Sequence, residues 1–137
     1  MSYTLREHTA DVAVEATGES LEAVFAAVAD GLAGAMVDDE PGTGERFPIV
    51  VESESLEALL FDYLDELIYE RDVREVLPVE NEATIEQRAD DQWALHASAR
   101  GVPLAEIDAR EVKAVTYSEM AIEETEDGWR AYVVFDV

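Results

Sequence analysis

Between Asp11 and Ala16 apolar and polar residues alternate, with Val12, Val14 and Ala16 on one side, which predicts a strand. Thr17-Gly18-Glu19 turns the chain, and Ser20 is placed to cap a helix with Glu22 in its first turn. Leu21, Val24, Phe25, Val28, Leu32 and Met36 then recur at helical spacing and predict about four to five turns. The alanine-rich remainder of that segment predicts close packing by another element. Asp38–Arg46, with Pro41, Gly42 and Gly44, reads as a loop, and Phe47–Glu52 as a short strand. Ser55 is the natural cap of a second helix, in which Leu56, Leu59, Leu60, Tyr63, Leu64, Leu67 and Ile68 form a broad apolar face. Asp62, Asp65, Glu66 and Glu70 fall mainly on the other side and read as solvated surface.

After Arg71-Asp72 the pattern changes to strands. Val76–Glu80, Ala83–Ala89 and Trp93–Arg100 are predicted, with Asp90-Asp91 turning between the last two. Gly101-Val102-Pro103 interrupts, and Leu104–Asp108 fits a single helical turn. Val112–Glu123 and Trp129–Asp136 are two further strands, joined by Glu126-Asp127-Gly128; Asp-Gly signals a hairpin because glycine takes positive φ at little cost. The order strand, helix, strand, helix, then a run of strands predicts an α+β fold with two main helices and a mixed or mainly antiparallel sheet. No linker or repeat divides the chain, and 137 residues fit one domain, 1–137.

Charge changes the picture. Thirty-three acidic residues stand against nine basic ones, a net charge of −24, and the acids are spread along the whole sequence. Of the nine basic residues only Lys113 is a lysine. Dispersed acid with almost no lysine is the composition expected of a halophilic protein, because in molar salt the Debye length shrinks to about 3 Å and surface repulsion is screened. The same charge repels nucleic-acid phosphates, so strong direct nucleic-acid binding is not expected. No apolar run approaches the roughly 20 residues that span a bilayer, and residues 1–8 lack the basic patch and apolar core of a signal peptide. With no cysteine there is no disulfide or thiolate chemistry, and a cytoplasmic protein is the expectation.

Candidate chemistry is sparse. There is no Gly-rich phosphate loop, nucleophile elbow or His-Glu-x-x-His. Of the two histidines, His96 lies in the alternating run Trp93–Ala97 and reads as part of a strand. Three features are harder to dismiss. His8-Thr9-Ala10-Asp11 sets an imidazole and a carboxylate three residues apart, just before a strand. Lys113 is the lysine kept where arginine is otherwise used, as a site needing a compact ammonium would require. Finally, Tyr132–Val137 ends within a strand pattern, with Asp136 beside the carboxylate of Val137. Two adjacent anionic groups on an ordered backbone call for a cation, and a hard divalent ion such as calcium tolerates an irregular set of oxygens best.

Together, His8-Thr9-Ala10-Asp11, the segment Leu59–Tyr69, Glu111-Val112-Lys113-Ala114-Val115-Thr116-Tyr117 and the terminal Val134-Phe135-Asp136-Val137 resemble the archease family, in order, from the first strand to the last residue. The resemblance implies a non-catalytic partner of the RtcB-type tRNA-splicing ligase, which joins RNA ends through a guanylylated histidine. It further implies that the chain promotes this activation, allows multiple turnover and broadens the nucleotide triphosphates used. The implied metal ligands are Asp11, Asp136 and Val137, with His8 and Lys113 as functional neighbours that engage the ligase or a phosphate. Many archaeal members carry histidine after the Thr-Tyr pair; Ser118 stands there in this chain, so that histidine's role does not carry over. Two other readings are a small metal-dependent hydrolase with His8 as base, and a general chaperone or modulator of RNA-modifying enzymes.

Overall fold

The computed structural model describes residues 2–8, 11–38 and 42–137. Thr9-Ala10, the side chain of His8 and residues 39–41 of the anticipated loop lie outside the described residues.

Both helices form as their local sequence dictates. Helix α1 runs Leu21–Met36, and the Ser20 hydroxyl accepts a hydrogen bond from the Ala23 amide at 3.1 Å. Helix α2 runs Leu56–Arg74 and is capped in the same way by Ser55, which accepts from the Ala58 amide at 3.1 Å. Each cap satisfies one of the donors that an open first turn leaves unpaired. At its other end α2 stops on Glu75, whose φ of 56° is the left-handed turn that ends many helices.

Seven strands make two antiparallel sheets. The first, in the order β1-β2-β7-β6, contains β1 (Ser2–His8), β2 (Asp11–Gly18), β7 (Gly128–Asp136) and β6 (Ala114–Thr125). The second, in the order β3-β5-β4, contains β3 (Glu45–Ser53), β5 (Gln92–Pro103) and β4 (Val76–Ala89). The α+β class holds, and all the pairings are antiparallel. Each helix touches both sheets. Helix α1 packs on β2 and β7 of the first and β4 of the second, while α2 packs on β6 of the first and β3, β4 and β5 of the second. One core results, from Val14 and Phe135 through Phe25, Leu32, Tyr63 and Leu64 to Leu95. This two-sided contact explains the alanines of α1: Ala26, Ala27, Ala29 and Ala33 are all buried, because only small side chains let a helix approach neighbours on several sides.

The structure corrects the strand reading in four places. Strand β1 was not anticipated; it forms because its alternation is satisfied by β2, to which it is paired from Ser2↔Thr17 to His8↔Asp11. Val76–Glu80 and Ala83–Ala89 are one strand, β4. The apparent break is a bulge between Val79 and Glu82, where Glu80 takes a φ of 49° and Asn81 turns inward. There the Asn81 amide and side-chain nitrogen both donate to Asp30 of α1, at 3.0 and 2.9 Å. Gly101-Val102-Pro103 does not interrupt but completes β5, with Gly101 between Glu45 and Pro78. The strand expected from Val112 begins at Ala114, and the expected helical turn is a 3-10 turn at Leu104–Glu106. The Asp-Gly hairpin is present. Gly128 has φ 153°, and a side chain there would collide with the backbone of Gly18. No helix of the described residues is long and apolar enough to cross a membrane.

Candidate functional site

The first sheet joins the two ends of the chain. In β2, Val12, Val14 and Ala16 face the helices, so Asp11, Ala13, Glu15 and Thr17 point to the outer face. In β7, Ala131, Val133 and Phe135 face the helices, leaving Arg130, Tyr132, Val134 and Asp136 outside. The register places Asp11 directly opposite Asp136, then Ala13 opposite Val134 and Glu15 opposite Tyr132. Facing residues of an antiparallel pair point to the same side with Cβ atoms about 4.5–5.5 Å apart. Two carboxylates are therefore held side by side at the edge of the outer face, with Val137 following directly in the chain.

That arrangement repels itself, because like charges directly opposite destabilise a sheet. Among the described residues neither carboxylate has an ion pair or a side-chain hydrogen bond. Among the described side chains of this face, Arg130 bonds Glu15 at 2.6 and 2.9 Å, three rows from the Asp pair and so roughly 20 Å away along the strands. The next row, Ala13 and Val134, is buried and apolar. Asp11 is half-buried and Asp136 exposed, and Val137 follows Asp136 directly in the chain. No cluster of three or more His, Cys, Asp or Glu occurs among the described residues. Residue 8 is placed opposite Asp11 by the strand register. His96 is exposed on β5, in the other sheet.

Lys113 sits one residue before Ala114, the other cross-strand neighbour of Asp136, and its amide donates to the Asp136 carbonyl at 2.8 Å. Lys113 lines a groove of about 570 Å³ with Met36, Arg71, Asp72, Leu104 and Arg110. Lys113 has no ion pair among the described residues.

Two residues that hold this end together were not singled out from the sequence. Arg71 is the one buried cationic side chain among the described residues. It donates to the Val112 carbonyl at 2.6 Å and pairs with Asp72 at 2.9 Å, and so fixes the backbone just before Lys113. Arg110 grips Asp38 through both terminal nitrogens, at 3.0 and 3.2 Å. The signal for Arg71 was present, since it continues the Leu64-Leu67-Ile68 spacing of the buried face of α2.

Comparisons with known proteins bear on this arrangement. Residues 3–137 match the model of the archease protein family. A protein archease of Thermococcus gammatolerans is 40% identical over 138 residues, covering 96% of this chain and 95% of that one. The protein archease of Methanosarcina mazei is 34% identical over 139 residues, covering 98% and 95%. The solution structure of Methanobacterium thermoautotrophicum protein 1598 superposes with a TM-score of 0.79 at 28% identity, over 98% of each chain. The crystal structure of a Thermotoga maritima archease, described as a possible chaperone, has a TM-score of 0.63 at 24% identity, over 96% of this chain and 94% of that one, and shows a shared fold.

Proposed function

The chain belongs to the archease family, and we propose that it is a non-catalytic activator of an RtcB-type 3′-phosphate RNA ligase in tRNA splicing. In this reading it promotes guanylylation of the ligase, supports multiple turnover and widens the choice of nucleotide triphosphate. The observation that carries it is the facing pair Asp11–Asp136, two carboxylates without an ion pair among the described residues at the end of the two central strands. Asp11, Asp136 and Val137 would hold a divalent cation, with calcium as the leading candidate. Bound there, the ion would supply positive charge where phosphates and carboxylates meet, the element that phosphoryl-type transfer needs most.

The chain's own residues do the rest. The β2–β7 register holds the two carboxylates in place, and the buried Ala13–Val134 row keeps the sheet beneath them dry. Lys113, without an ion pair among the described residues, lines the adjacent groove, and His8 stands opposite Asp11 in the β1–β2 register. The test is guanylylation and adenylylation of the cognate ligase, in high salt, with and without this protein. Stimulation should vanish with Asp11→Ala or Asp136→Ala while circular dichroism shows an intact fold. Full stimulation by both variants would refute the reading. A general chaperone would keep its effect in these variants and extend it to unrelated clients.

A further inference from the structure

Seven large apolar side chains are exposed among the described residues, and three of them, Tyr69, Val73 and Tyr117, lie on one face made by α2 and β6. Phe61, Asp65, Tyr69 and Val73 repeat every four residues and so form one ridge along α2. Tyr117 joins its start: its ring stacks on Phe61, centroids 4.2 Å apart and planes 10° apart. Tyr117 is free to do so because the β6–β7 register breaks between Thr116 and Ala121, with Glu119 at a φ of 57°, which takes residues 117–120 out of the ladder. Exposed apolar residues scattered singly are ordinary, but several aromatic and aliphatic side chains on one ridge, with acids between them, mark an interaction surface.

The surroundings define what could cover it. Asp62, Asp65 and Asp72 are exposed along the ridge. The cations of α2 point elsewhere, Arg71 inward to the Val112 carbonyl and Arg74 onto Glu70 and the Phe47 ring. A second copy of the chain would bring acid against acid, at a net charge of −24 per chain. A surface carrying arginine and lysine among apolar residues is complementary, and an RNA-handling protein must display such cations to bind its substrate. The ridge also leads to the carboxylate end. Helix α2 follows β6 from the Phe61–Tyr117 stack to Arg71 on Val112, about 15 Å along the helix, and Lys113 and Asp136 are adjacent there.

We propose that the α2–β6 ridge of Tyr117, Phe61, Tyr69 and Val73, with the acids between them, is the surface on which the ligase docks through a basic, apolar-flanked patch. This rests on the ligase being the partner. Docking here would fix the ligase's orientation and bring its reaction centre toward Asp11 and Asp136.

Binding of the full-length chain to the cognate ligase by biolayer interferometry in high salt tests it. Tyr69→Ser combined with Tyr117→Ser should raise Kd about tenfold or more, the loss typical of two aromatic anchors. Val50→Ser, at a side chain 61% exposed on β3 of the other sheet, should leave Kd unchanged. Tyr69→Arg, a second route that spares the Phe61 stack, should also weaken binding by introducing a like charge to the partner's. Melting curves check that each variant is folded. Wild-type affinity in both ridge variants would overturn the docking face alone. If the unaltered chain shows no ligase binding, both the ligase reading and this inference fall. Concentration-dependent dimers that the ridge variants abolish, with ligase binding intact, would overturn it in favour of self-association.

Discussion

The facing carboxylates make a prediction whose sign depends on whether calcium is present. With Asp11 opposite Asp136, the side chains leave the sheet roughly 5 Å apart at Cβ, and two unit charges at that distance repel by about 1 kcal/mol at the dielectric of water and about 3 kcal/mol at an effective value of 20. Asp136 is exposed, so the lower figure applies, and a Debye length of about 8 Å at physiological salt roughly halves it. Asp11→Asn keeps the shape and removes the repulsion. In EDTA it should therefore be more stable than the unaltered chain by about 0.5 kcal/mol, or roughly 2 °C in Tm for a domain of this size. In calcium the order should invert. The unaltered chain gains stability by mass action, about 2.7 kcal/mol at a hundredfold excess over Kd, and the variant loses most of that gain. Circular-dichroism melts of both proteins in EDTA and in calcium measure the two differences. Asp65→Asn, on the exposed face of α2, controls for loose calcium binding to an acidic surface and should keep the full calcium shift. If Asp11→Asn is the less stable protein in EDTA, the carboxylate has a cationic partner within the protein. An equal calcium shift in Asp11→Asn would show that no ion sits at this pair.

Two further predictions concern the interior. Arg71→Met preserves volume but removes the charge-assisted bond to the Val112 carbonyl and should cost about 2 kcal/mol, the exposed partner Asp72 adding little. Amide exchange at Lys113, which donates to Asp136, should rise with it; unchanged stability and protection would mean that Arg71 does not pin this segment. The Tyr63 hydroxyl is buried without a hydrogen-bond partner among the described residues, so Tyr63→Phe should be neutral or stabilising by up to about 1 kcal/mol, and a clear loss in urea melts would reveal a hidden partner. Burial, and then the charge of Asp30, hold the Tyr63 phenol well above its ordinary value near 10. The unfolded chain therefore gives up this proton first. Its contribution is intact below pH 10 and lost as pH rises beyond it, and Tyr63→Phe should flatten that alkaline decline in tyrosinate absorbance and circular dichroism.

Elements whose signals are local were legible along the chain. Both helices lie where their periodicity and serine caps put them, since a helix closes its hydrogen bonds within four residues and its cap within three. The Asp127-Gly128 hairpin is legible for the same reason. Strands fared less well at their ends and interruptions. Strand β4 read as two because Glu80-Asn81 breaks its alternation. Only the tertiary structure supplies the reason, a bulge that lets Asn81 reach Asp30 on α1. Strand β1 went unread because a seven-residue alternation means little until a partner strand is known.

For the candidate site the division is similar. The sequence by itself marked Asp11 and Asp136 as carboxylates on ordered strands, and Lys113 as a lysine kept against the trend of the composition. It could not say that Asp11 and Asp136 face each other, because pairing between chain ends is a matter of register, and a shift of one residue would have turned either side chain to the opposite face. Nor could it show that Lys113 shares a backbone bond with Asp136 and lines the groove beside Arg71. The stacking of Tyr117 on Phe61 likewise depends on where β6 leaves its ladder relative to α2. Residue type and local period fix which groups can act. Strand register, set by how the apolar faces of two sheets close over two helices, decides which of them meet.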